Sequence, residues 1–181
     1  SLIDLLDTIA KISLGAVISG VVTYKVTKLN HHTENNKFKR DKRIDILEEI
    51  TSNADLYFHY SGNLIGIVNG ARFKNPDMID LSTDDPQTTS SWKAIKKDDD
   101  TWVSSDKHYS YASSRAKVLN IDDASNILAT HFNFMEQFRE QFIFNQVLPS
   151  EIEITEATNQ HNQFEMDFYD VLVPQYGLSN V

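Results

Sequence analysis

Ile12–Tyr24 reads ISLGAVISGVVTY, a run of thirteen uncharged residues bracketed by Lys11 and Lys25. Its apolar positions surround the whole helix instead of marking one face, unlike those of an amphipathic surface helix. A helix that crosses a bilayer needs about twenty apolar residues. Thirteen suffice only if the flanking lysines reach the headgroups and apolar positions continue outward. The stretch therefore predicts either a membrane-embedded helix or the central helix of a protein core.

The charges on either side of this run favour the membrane interpretation. Asp4 and Asp7 precede it, whereas seven basic residues and only two acidic ones lie between Lys25 and Arg43. Lys and Arg accumulate on the cytoplasmic side of membrane helices. We therefore predict a single-pass signal anchor over residues 1–29, in the inner (cell) membrane, with the C-terminal domain cytoplasmic. The alternative is a soluble cytoplasmic protein in which this helix is core.

Residues 30–43 form a polar, basic juncture in this interpretation. His31 and His32 are adjacent there, but no third metal ligand lies nearby, so the pair predicts no metal site. From residue 44 to the end the chain carries 9 basic and 22 acidic residues, a net charge of −13. Such an acidic body excludes duplex nucleic acid as the main partner, because phosphate contacts need a cationic surface.

Residues 44–181 show helical periodicity, which places the protein in the all-α class. We predict an N-terminal apolar helix followed by an antiparallel bundle of three or four helices. Apolar residues recur at three- and four-residue steps over 44–68, 127–142 and 152–172. Ser150 and Glu153 have the spacing of a capping box at the start of the last helix. Residues 75–107, rich in aspartate, serine and threonine, predict a long loop.

Small residues recur four positions apart in the first two predicted helices. They include Gly15, Ser19, Gly20, Gly62, Gly66 and Gly70. This spacing lets two helix backbones approach closely. A glycine inside a helix costs about 1 kcal/mol relative to alanine, so three on one face need an explanation. The two explanations are contact with a neighbouring helix of the same chain and self-association into a homo-oligomer.

Aromatic and cationic residues are interleaved between positions 92 and 115. The set comprises Trp92, Lys93, Lys96, Lys97, Trp102, Lys107, Tyr109 and Arg115. Aromatic rings stack on nucleobases and cations bind phosphates. The set therefore predicts a binding site for a small anionic, nucleotide-like ligand. The alternative is that the tryptophans pack onto the end of the bundle while the lysines face solvent.

No catalytic or cofactor motif accompanies these surfaces. The chain has no cysteine, which excludes thiolate zinc sites and cysteine nucleophiles, and it lacks the Glu-x-x-His, Walker and dinucleotide-binding patterns. His131 is predicted to be a hydrogen-bonded histidine of the bundle. We therefore predict a protein without enzymatic activity, metal or cofactor.

The predicted function is that of a membrane-anchored helical bundle that acts by self-association or partner binding on the cytoplasmic side. Its partners would be the lipid bilayer and a second copy of the chain. Two alternatives are a membrane-tethered sensor or effector for the anionic ligand and a wholly soluble bundle.

Overall fold

The secondary structure of the described residues is helical, apart from an isolated β-bridge at Val147. The computed structural model describes residues 2–74, 81 and 86–177, and the side-chain surroundings of residues 24–30, 34–74, 81 and 88–177. The elements are α1 (Leu2–Lys74), α2 (Pro86–Ser104), α3 (Asp106–Val118), α4 (Asp122–Phe138), a π-helix (Arg139–Phe144), α5 (Glu151–Leu172) and a 3-10 helix (Val173–Tyr176). No β-strand is present among these residues, so the predicted all-α class is confirmed.

The chain divides into two units, Ser1–Arg43 and Ile44–Val181, and α1 belongs to both. Residues 30–43, predicted as a polar juncture, are helical in α1 instead. Their asparagine, histidine and threonine residues lower helix propensity by only a few tenths of a kcal/mol each. No proline precedes Pro76, and no glycine lies between Gly20 and Gly62. Nothing in this segment therefore blocks the helical backbone.

The charge-free run Ile12–Tyr24 lies within the backbone of α1. Among the helices that the structure describes, none is long and apolar enough to cross a membrane. The transmembrane character predicted for the N-terminal helix is therefore not supported. The side chains of residues 1–23 are outside the described set, and so is the packing predicted around Gly15, Ser19 and Gly20.

Contacts between side chains establish that α1 runs antiparallel to its neighbours within the second unit. Towards α5 and the 3-10 helix, the contacts join Thr51 to Tyr176, Asp55 to Tyr169 and Arg72 to Glu151. Towards α2 and α3, they join Ser61 to Trp102, Asn53 to His108 and Glu49 to Arg115. In both series the residue numbers rise on α1 as they fall on the partner.

The remaining neighbours are antiparallel by the same reasoning. Contacts from α2 and α3 to α4 and the π-helix join Asp99 to Arg139, Trp102 to Phe132 and Ser113 to Ser125. Contacts from α4 and the π-helix to α5 join His131 to His161 and Gln141 to Glu153. The second unit is thus an antiparallel four-helix bundle in which α2 and α3 follow one another as one broken helix.

Helix α2 occupies residues 86–104, where the sequence predicted a loop. Its buried stripe recurs every three or four residues but mixes polar with apolar side chains. The stripe consists of Thr88, Ser91, Ile95, Asp99 and Trp102. A search for apolar periodicity misses such a stripe, because three of its five members are polar. Residues 75–80 and 82–85 of the predicted loop are outside the described residues.

The core of the bundle is aromatic, and its last helix starts with a complete capping box. Tyr57, Phe58 and Phe168 are its largest fully buried side chains. At the start of α5, the amide of Glu153 donates to Ser150 Oγ, and the amide of Ser150 donates to Glu153 Oε2 at 2.8 Å. The predicted capping box is therefore confirmed.

Candidate functional site

Three polar rings from three helices meet in the middle of the bundle: Tyr57 of α1, His131 of α4 and His161 of α5. The exposed fraction is 0% for Tyr57 and His131 and 7% for His161. The Tyr57 hydroxyl lies 3.0 Å from His131 Nδ1, and His131 Nε2 lies 3.0 Å from His161 Nδ1. We call this hydrogen-bonded chain the Tyr57–His131–His161 network.

Two arrangements of protons satisfy both bonds of the network. In one, the Tyr57 hydroxyl donates to His131 Nδ1, and His131 Nε2–H donates to His161 Nδ1. In the other, both donations run in the opposite direction. Each arrangement leaves both histidines neutral, because one nitrogen of each ring donates and the other accepts. The network therefore links three helices without placing a charge in the core.

Burial determines the protonation of this network. The His131 ring is surrounded by Phe58, Phe134 and Phe164, whose ring centroids lie 5.0–5.8 Å from its own. Such surroundings solvate an imidazolium poorly. Burial, followed by repulsion from His161, lowers the pKa of His131 to about 3. Burial also lowers the pKa of His161 and raises that of Tyr57. All three rings are neutral at pH 7.

Gly62 makes room for the His161 ring. A Cβ atom at position 62 would lie 3.0 Å from His161 Nε2. At Gly66 and Gly70, by contrast, no described heavy atom lies within 4 Å of an added Cβ. Of Gly62, Gly66 and Gly70, only Gly62 therefore serves a close approach within the described bundle. Self-association through Gly66 and Gly70 remains a prediction.

We expect Gly62→Ala to leave the bundle about 1–2 kcal/mol less stable than Gly66→Ala. Both changes remove the entropic cost of a helical glycine, which alone would raise the free energy of unfolding by up to about 1 kcal/mol. Only Gly62→Ala pushes against His161 and displaces the network. Urea unfolding of both variants measures the difference. Equal stabilities would mean that the His161 ring has room to move.

A second buried polar cluster surrounds Arg139, the first residue of the π-helix. Its Nε donates to Asp99 Oδ1 at 2.5 Å, and its Nη1 donates to Glu136 Oε1 at 2.8 Å. The guanidinium carbon lies 4.9 Å from the ring centroids of both Trp102 and Phe144. The side chains of Arg139 and Asp99 are only 9% and 8% exposed. This cluster joins α2 to the end of α4.

The eight residues predicted to bind an anionic ligand do not form one site. Trp102 is buried and donates from Nε1 to Ser61 Oγ at 2.9 Å. Tyr109 stacks on Phe132 with a centroid distance of 4.6 Å. Both rings thus face the core.

The other six members of that set lie on the surface or at its edge. Trp92 is partly buried against the core, and Lys107 is exposed. Arg115 Nε lies 3.3 Å from Glu49 Oε2. Lys93, Lys96 and Lys97 line an open depression of about 560 Å³ on α2, together with Asp100, Thr101 and Ser104. Anion binding there remains a prediction.

Sequence reasoning identified His131 as hydrogen-bonded but not its partners, which lie 74 and 30 residues away in the chain. It also placed Asp99 in the loop predicted over residues 75–107. The available signal was the spacing of Ile95, Asp99 and Trp102, which places the carboxylate on one helical face with two apolar residues.

The polar features found among the described residues are the two buried clusters and the lysine-lined depression on α2. The described residues include no group of three or more side chains that could hold a metal ion. Comparison with known proteins adds no assignment: no family model, no curated protein and no solved structure matches the chain. Its function is therefore argued from its own residues.

Proposed function

We propose that the protein is a non-catalytic helical bundle that attaches to a membrane through its N-terminal unit and presents the bundle to a partner or a second copy. The observation that carries the proposal is the exposure of α1 in the first unit. Every described side chain of residues 24–30 and 34–42 is exposed. Large apolar side chains are among them: Tyr24 at 67%, Val26 at 50%, Leu29 at 65% and Phe38 at 69%.

An exposed helix of this kind points to a binding partner outside the chain. Helices in proteins gain most of their stability from packing, and solvated side chains supply little of it. The charge-free run Ile12–Tyr24 directly precedes this segment. Apolar helices with basic flanks bind membranes by burying apolar area and attracting anionic lipid. A membrane would both bury the apolar side chains of the N-terminal unit and attract its basic ones.

The chemistry of the bundle unit supports a role in binding rather than in catalysis. The Tyr57–His131–His161 network is buried and neutral, and both nitrogens of His131 are hydrogen-bonded within the fold. On α1, no described heavy atom lies within 4 Å of a Cβ added at Gly66 or Gly70, and Phe73 nearby is 83% exposed. Exposed aromatic side chains of this kind are common at the centre of protein interfaces.

Cell fractionation tests the membrane attachment. We expect the full-length chain to be recovered in the membrane fraction, and Val17→Asp combined with Val21→Asp to move it to the supernatant, because two charges then interrupt the run. The matched control is Val103→Asp with Val118→Asp, which changes two exposed valines of the bundle. Recovery of the unmodified chain in the supernatant would contradict the proposal.

A further inference from the structure

The basic residues of the first unit are concentrated on one side of α1. At 100° per residue, six of the seven fall within a sector of about 160° around the helix axis. These six form the basic face: Lys25, Lys28, Lys39, Arg40, Lys42 and Arg43. The two acidic residues of the segment, Glu34 and Asp41, lie about 160° and 180° from the centre of this sector. The charge is therefore strongly asymmetric around the helix.

The side chains of the basic face are accessible. The first five are exposed, and Arg43 is half-buried. Arg40 lies 3.8 Å from Asp41, but both side chains are more than half exposed, and contacts of this kind hold a charge only weakly. Leu29, 65% exposed, lies within the same sector. The face thus combines an extended row of cations with an apolar side chain.

We propose that this basic face binds the anionic headgroups of a membrane, with residues 25–43 of α1 lying along the bilayer surface. This inference rests on the proposed membrane attachment and adds the lipid class that it recognises. Clusters of four to eight Lys and Arg residues on a helix that lies on the membrane surface are attracted to anionic lipid. In this protein the cluster lies on one side of a helix, and the two acidic residues of the segment, Glu34 and Asp41, lie on the opposite side.

One observation favours lipid over nucleic acid as the anionic partner. The charge-free run Ile12–Tyr24 is continuous with the basic face on the same helix, so apolar burial and charge attraction act on one surface.

Two exposed lysines provide a matched test. Lys39 lies about 20° from the centre of the basic face and Lys37 about 140° from it, although both are exposed and only two residues apart. Binding of the full-length chain is measured with phosphatidylcholine vesicles that contain or lack about one-third phosphatidylglycerol. We expect Lys39→Glu to weaken binding to the anionic vesicles roughly tenfold and Lys37→Glu to weaken it about twofold or less. Circular dichroism confirms equal helix content.

Each other outcome has a defined meaning. Equal binding to both kinds of vesicle would overturn the lipid preference while leaving the proposed attachment in place, whereas no binding to either would overturn both. Equal losses of affinity for the anionic vesicles in the two variants would show that binding responds only to net charge, and would contradict binding through the basic face. Tighter binding to single-stranded RNA than to anionic vesicles, compared at equal phosphate, would assign the face to nucleic acid instead.

Discussion

Acidification from pH 7 to pH 4.5 is expected to lower the free energy of unfolding of the bundle by roughly 2–3 kcal/mol through His131 alone. The unfolded chain takes up a proton on this residue near pH 6.5. The folded chain resists protonation until about pH 3, because burial disfavours the imidazolium. A histidine with a lowered folded-state pKa contributes stability that is complete above pH 6.5 and is lost progressively down to pH 3.

Other groups modify this loss in predictable directions. Burial lowers the pKa of His161, so its contribution is lost in the same direction. Hydrogen bonds from Ser150 lower the pKa of Glu153, which adds a further loss as the pH falls. Burial raises the pKa of Asp55, and that carboxyl acts in the opposite direction. The net prediction remains a strong destabilisation by acid.

Urea unfolding at pH 7 and pH 4.5 measures the loss of stability. Two variants then test whether His131 causes it. His131→Gln retains a donor and an acceptor but does not titrate, so its stability should depend much less on pH. Leu128→Ala removes a fully buried side chain and should cost about 2–5 kcal/mol at both pH values. A wild-type loss below about 1 kcal/mol, or the same pH dependence in His131→Gln, would contradict the assignment.

Removal of either partner from the buried Arg139–Asp99 pair is expected to cost about 3–5 kcal/mol, because the remaining charge is left in the core. Arg139→Met leaves the Asp99 carboxylate unpaired, and Asp99→Leu leaves the guanidinium with Glu136 alone. The double variant should cost much less than the sum of the two single changes.

The exposed Arg115–Glu49 pair supplies the control for this cycle. Its side chains are 39% and 42% exposed, and Arg115→Met should cost less than about 1 kcal/mol. Additive losses in the Asp99 and Arg139 cycle, or equal effects of Arg139→Met and Arg115→Met, would mean that solvent reaches the buried pair. Unfolding in urea at pH 7 gives all four values.

The parts of the fold that sequence predicted are those determined by local pattern. The capping box of Ser150 and Glu153 involves residues three positions apart, and the α4–α5 hairpin follows from apolar spacing and a short connection. Helix α2 was missed because its buried face includes Thr88, Ser91 and Asp99. Such polar side chains become acceptable in a core only when they are hydrogen-bonded, as Asp99 is by Arg139.

The candidate site was less predictable for the same reason. Nothing near His131 in the sequence identifies Tyr57 or His161 as its neighbours, since each lies on a different helix. Likewise Trp102 could be placed in a ligand site until its contacts with Ser61 and Phe132 were known. Long-range pairing depends on how the helices align, which periodicity alone does not specify.

The Tyr57–His131–His161 network has a consequence for how the helices slide against one another. Apolar rings can repack after one helix shifts by a turn of about 5.4 Å, but the network cannot. A shift of α1 or α5 would break one of the two 3.0 Å contacts, and a shift of α4 would break both. Each break leaves a donor and an acceptor unpaired in an apolar core, at a cost of about 1–3 kcal/mol for each group. The network therefore selects a single register of α1, α4 and α5 from those that the phenylalanine-rich core would accept.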